Sequence, residues 1–67
     1  MKYGAWNVVW KVTDNYDLTD EGDDGVEIGV YDNAERAARV ALEHEHAPML
    51  SVQMQLYKDE WMDKVIR

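Results

Sequence analysis

One stretch of this chain, Asp32 to Ala47 (DNAERAARVALEHEHA), carries the period of an α-helix, and everything around it reads as strand or loop. Asp32 can cap the free N–H groups of the first turn. Glu35, three residues on, completes a capping-box spacing and suits the positive end of the helix dipole. Ala34, Ala38, Ala41 and Glu45 fall on one line, flanked by Ala37 and Leu42, while Arg36, Arg39 and Glu43 lie elsewhere. Glu35 and Arg39 are in the favourable i,i+4 order, which contributes about 0.3 kcal/mol on an exposed face. Pro48 ends the helix, because it disfavours helical geometry in Ala47 and has no N–H to continue the ladder. A single helix with a face of alanines can lie close against a sheet.

The flanking segments supply that sheet. Tyr3 to Val12 alternates, with Trp6, Val8, Trp10 and Val12 on one face and Ala5, Asn7, Val9 and Lys11 on the other. Thr13 to Gly25 is rich in Asp, Asn and Gly and reads as an exposed connection. Val26, Ile28 and Val30 alternate with Glu27, Gly29 and Tyr31 to give a second strand, antiparallel to the first. Leu50, Val52, Met54 and Leu56 alternate with Ser51, Gln53, Gln55 and Tyr57 in a third. Lys58 to Glu60 can turn the chain. Trp61 to Ile66 is expected to be a fourth strand, with a short helix as the alternative.

The expected fold is therefore α+β, in the order β-β-α-β-β, a mostly antiparallel sheet with one helix packed on one face. Residues 1–67 form one domain. A chain of this size buries only about 60% of its unfolded surface, so its net stability is small. The core must come from three Trp, four Met, four Tyr and the aliphatics, since there is no cysteine for a disulfide or a thiolate metal site. The helix is expected on the side of Trp6, Val8, Trp10, Val26, Ile28, Val30 and Leu50 to Leu56. The other side, carrying Tyr31, Tyr57, Gln53, Gln55 and Val9, is then left to solvent or to a partner, such as a second copy.

Charge is the most lopsided property. Asp14, Asp17, Asp20, Glu21, Asp23, Asp24, Glu27, Asp32 and Glu35 lie between Lys11 and Arg36 with no basic residue among them. The rest of the chain has seven bases against five acids, so the net charge of −7 comes from this one segment. Direct binding to nucleic acid is not expected, because that affinity comes mainly from cations neutralising phosphates. Side chains on one face of a strand recur about every 6.6 Å, comparable with phosphates along a nucleic-acid strand. An acidic face of Asp14, Asp17, Asp20, Glu21, Asp23, Asp24 and Glu27 could therefore occupy a basic cleft that holds DNA or RNA.

Other chemistry finds little support. Setting Gly25 at the invariant glycine of a calcium loop puts Asp20 and Asp24 at ligand positions, but Gly22 and Tyr31 where further ligands belong. His44 and His46 would stand about 200° apart on a helix and could not share an ion as i,i+4 histidines do. No metal or cofactor is expected. Ser51 has no His and acid partners in the pattern and no glycine-rich phosphate loop follows a strand, so no catalytic residue is assigned and an enzyme is not expected. With no long apolar run and no signal-peptide pattern at the N-terminus, a cytoplasmic protein without membrane contact is the expectation.

A small, cysteine-free, acidic β-β-α-β-β layout, with a helix of the form Asn33-Ala34-Glu35-Arg36-Ala37-Ala38-Arg39 after the second strand, resembles small phage and mobile-element proteins. These include several type I anti-CRISPR inhibitors, and the resemblance covers nearly the whole chain in layout. It implies a phage-type inhibitor that binds a crRNA-guided effector complex in the host cytoplasm and blocks target DNA through carboxylates. The alternative is a small homodimeric structural or regulatory module with no nucleic-acid-linked target, joined through Tyr31, Tyr57 and Val9. Monomer and homodimer are both open at this point.

Overall fold

The computed structural model describes residues 2–15 and 25–67. Its elements are β1 (Lys2–Tyr3), β2 (Trp6–Asp14), β3 (Val26–Tyr31), α1 (Ala34–Glu43) and β4 (Leu50–Tyr57). Two 3-10 helices, Ala47–Met49 and Asp59–Lys64, lie before and after β4. The class is as expected, a four-stranded antiparallel sheet with one helix, although the fourth strand is the short β1. Gly4 has φ +62° and opens the two-residue turn from Tyr3 to Trp6, a conformation that glycine adopts without a Cβ penalty.

β2 is the centre of the sheet. One edge pairs with β4 from Asn7↔Tyr57 to Asp14↔Leu50; the other pairs first with β1 and then with β3. The β2–β3 ladder shifts register between Val12 and Thr13, whose partners are Gly29 and Glu27, leaving Ile28 as the extra residue of a bulge. A one-residue shift reverses the faces of a strand. Ile28 therefore packs under the helix while Val30 points to the opposite face, against the expectation that Val26, Ile28 and Val30 share one side. Tyr31 joins the helix side and is buried there.

The core consequently has two parts. Under α1 lie Val12, Tyr31 and Ala37, with Trp10, Ile28, Val40, Ala41 and Leu50 packed around them. On the other face, Val9 and Val30 meet Val65, with Tyr57 and Met62 against them. That second face was expected to be open. It is instead covered by the Asp59–Lys64 3-10 helix and the residues after it, which are not the hairpin strand expected of Trp61 to Ile66. Ile66 then bridges Tyr31 in parallel, donating its N–H to the Val30 carbonyl at 2.7 Å, and so caps the last residues of β3 on its outer edge. Val9 and Tyr31 are therefore core residues and Tyr57 is half-buried, so these three cannot form the open dimer face.

The helix is shorter than its periodicity suggests. Its N-cap is Asn33, not Asp32: the Asn33 side chain accepts the Arg36 N–H at 3.0 Å. It ends at Glu43, well before Ala47, because Pro48 cannot donate to the His44 carbonyl four residues earlier. That carbonyl takes the Ala47 N–H instead, at 3.0 Å, and His44 turns extended with φ −75° and ψ 145°. The inward stripe is the buried Ala37 with the half-buried Val40 and Ala41, so Ala34 and Ala38 of the expected face are exposed.

Candidate protein-binding surface

β4 is built by its own alternation, and its register with β2 puts Leu50, Val52, Met54 and Leu56 on the helix side with Val8, Trp10 and Val12. The ten-residue helix is about 15 Å long, whereas eight residues of strand extend about 27 Å. It cannot cover the whole face. It seats on the Val12 and Leu50 end of the sheet and over Tyr31 and Ile28. Farther along β4 the apolar side chains stand in the open: Val52 is 39%, Met54 66% and Leu56 44% exposed, and Leu42 on the helix is 78% exposed.

The outer edge of β4 is open as well. Among the described residues no strand pairs with it. Exposed edges in soluble proteins are normally blunted by charge, proline or a bulge. The run Leu50-Ser51-Val52-Gln53-Met54-Gln55-Leu56-Tyr57 has no charge and no proline, and its ladder to β2 runs without a register shift. An uncharged edge with a row of exposed apolar side chains can accept an added strand through main-chain hydrogen bonds, with alternate side chains fixing the register.

The residues predicted to bind a partner by charge are only partly in view. Asp17, Asp20, Glu21, Asp23 and Asp24 lie outside the described residues. Asp14 ends β2 on the helix side, where His46 Nδ1 lies 2.8 Å from its Oδ2, and its side chain is only 15% exposed. Glu27 pairs with Thr13 on the opposite face, and its Oε1 lies 3.9 Å from Lys11 Nζ. These two carboxylates thus point to different sides of the sheet. The segment between them leaves from the end where β4 begins, since Asp14 pairs with Leu50 and Asn15 donates its N–H to the Met49 carbonyl at 3.1 Å.

Asp32, Asn33, Glu35, Arg36, Arg39 and Arg67 line an open depression whose charges are mixed, and Arg39 already faces Glu35 at 4.0 Å. Ser51 accepts a long hydrogen bond from Asn15 Nδ2 at 3.4 Å. The sequence also missed a cluster: once the helix stops at Glu43, the rings of His44 and His46 come to 5.4 Å, and donor atoms of Asp14, His44 and His46 lie within 4.8 Å of one another. The helical wheel that set the two histidines apart does not apply to them. The signal that could have revealed this is Pro48, whose missing N–H reaches back to His44. Among the described residues no helix is long and apolar enough to cross a membrane. Comparison with known protein families, with curated proteins and with solved structures returns no match.

Proposed function

We propose that this chain acts by binding a protein rather than by catalysis, through the open edge and exposed apolar face of β4. The observation that carries this reading is an eight-residue edge strand without a charge, in a chain of net charge −7, with Val52, Met54 and Leu56 in the open. Burying such a strand against another supplies short-range affinity. The partner proposed is a basic protein that ordinarily holds nucleic acid. The nine carboxylates between Lys11 and Arg36 support that chemistry, because they draw such a protein in over a distance, and the segment from Asp14 to Glu27 that carries seven of them leaves from the end of the sheet where β4 starts. A crRNA-guided effector complex, bound by a phage-type inhibitor that blocks target DNA, is the case that the resemblance to anti-CRISPR proteins implies.

A pull-down of the tagged chain from a lysate holding candidate effector complexes tests this, with washes at about 0.1 M and then about 0.5 M salt, where screening is far stronger. The expected outcome is capture of a nucleic-acid-binding protein that the higher salt weakens. Replacing Asp17, Asp20, Glu21, Asp23, Asp24 and Glu27 by Asn and Gln is expected to abolish capture with the fold intact. Capture indifferent to both changes contradicts the charge-based partner.

A second reading, a homodimeric interaction module, is favoured by the self-complementarity of β4. Two copies in antiparallel pairing can set Leu50 opposite Leu56 and Val52 opposite Met54, with all the apolar side chains on one face and no like charges across the strands. Sedimentation at rising concentration is expected to give twice the chain mass, indifferent to salt, if this reading holds, and the monomer mass if it does not.

A further inference from the structure

We propose that Asp14, His44 and His46 form a binding site for a borderline-soft divalent cation of the Zn²⁺ type, independent of the β4 surface. Three ligands come from three places in the chain: Asp14 from the end of β2, His44 from the C-cap of α1, and His46 from the turn before the Ala47–Met49 3-10 helix. Their donor atoms lie within 4.8 Å of one another. A tetrahedral ion held at about 2.1 Å by each ligand places its donors roughly 3.4 Å apart. Closing that gap takes side-chain rotation, with His44 either ligating through Nε2 or releasing the His46 N–H from its Nδ1.

The backbone around the site is already fixed. His44 donates its N–H to the Ala41 carbonyl at 3.4 Å, and its own carbonyl accepts from Ala47 at 3.0 Å. The His46 carbonyl accepts from Met49 at 2.8 Å, and the Met49 carbonyl accepts from Asn15, the neighbour of Asp14, at 3.1 Å. These bonds connect the histidine turn to the end of β2, so both sides of the site are held in register. The His46 N–H donates to His44 Nδ1 at 3.1 Å, which brings the rings to one side.

The donor set decides the kind of ion. Two imidazoles and one carboxylate suit Zn²⁺, Co²⁺ or Ni²⁺, while Ca²⁺ and Mg²⁺ prefer all-oxygen sites. Three protein ligands leave a fourth position for water or for a donor from a partner, as in open zinc sites. Between Asp14 Oδ2 and His46 Nδ1 a hydrogen bond of 2.8 Å holds a proton where the cation would enter. The ion would replace that proton, the two groups parting from 2.8 Å to the roughly 3.4 Å of a tetrahedral pair, and would add His44.

Calorimetric titration of the full chain with Zn²⁺, paired with thermal unfolding at increasing Zn²⁺, tests the site. The expected result is one ion per chain and a melting temperature that rises with Zn²⁺. His44→Asn and His46→Asn are each expected to weaken binding at least about tenfold and to remove most of that rise. His44→Asn keeps the test informative if Asp14→Asn disturbs the end of β2. Excess Mg²⁺ should leave Zn²⁺ binding unchanged. Zn²⁺ binding that the double histidine variant retains in full, or that Mg²⁺ displaces, overturns the proposal and assigns the ion to the acidic segment. Absence of Zn²⁺ binding overturns it outright.

Discussion

Single residues set boundaries that periodicity leaves loose. Asp32 and Asn33 are adjacent and both are good caps, so the pattern alone could not choose between them. The geometry chooses Asn33, which satisfies the Arg36 N–H. Asn33→Ala is therefore expected to cost about 1 kcal/mol in chemical unfolding, and Asp32→Ala much less; equal losses would return the cap to Asp32. At the other end of the chain, Asp59 accepts from Lys2 Nζ at 2.6 Å and from Asn7 Nδ2 at 2.7 Å. Those two hydrogen bonds and the charge of Lys2 hold its carboxyl below the usual value of 3.8. A lowered carboxylate adds stability above its unfolded pKa and loses it as pH falls through the folded value, so this contribution fades only in acid below about 4. NMR titration is expected to find Asp59 lowered in the native chain and returned toward 3.8 in Lys2→Ala. An unchanged titration would show that the Lys2 contact does not persist in solution.

At the scale of elements, β2, β4 and the first turns of α1 were legible because each rests on an uninterrupted period. β3 was legible as a strand but not in its faces. A bulge at Ile28 adds one residue between two good alternations, and the one mark of it within Val26 to Tyr31 is the neighbouring Gly29, a glycine inside a strand. The C-terminal stretch was illegible for a different reason. Trp61, Met62, Val65 and Ile66 suit either a strand or a helical turn, and the choice is made by the hollow that Val9 and Val30 leave on the second face. Val65 fills that hollow. Val65→Ala is expected to cost about 2 kcal/mol, more than an exposed valine such as Val26 would, because it removes two buried methyl groups and leaves a cavity. Equal costs at both positions would mean that the C-terminal cover is not part of the folded core.

For the whole molecule, the outcome is a sheet whose β3 edge is capped at one end by Ile66 and whose β4 edge has no paired strand among the described residues. The second face is covered by residues that follow β4, and among the described residues β4 and Leu42 carry a row of exposed apolar side chains on the helix side, beside scattered ones such as Tyr3, Val26 and Met49. The chain's acidity is collected separately, between Lys11 and Arg36. The charge map could be read from the sequence directly. The apolar surface could not, because it depends on a helix that stops early and therefore covers half a sheet. Separated in this way, the two features suit a binding event in which charge speeds encounter and an uncharged strand makes the contact.

Capture of the partner by Met54→Lys beside the unsubstituted chain, with circular dichroism to show that both fold, probes the β4 surface directly. Met54 is two-thirds exposed, so the lysine should change stability by no more than about 0.5 kcal/mol. Loss of capture, or loss of the dimer mass if the chain pairs with itself, is expected. Undiminished association by a folded Met54→Lys chain would contradict it and move the binding surface away from β4.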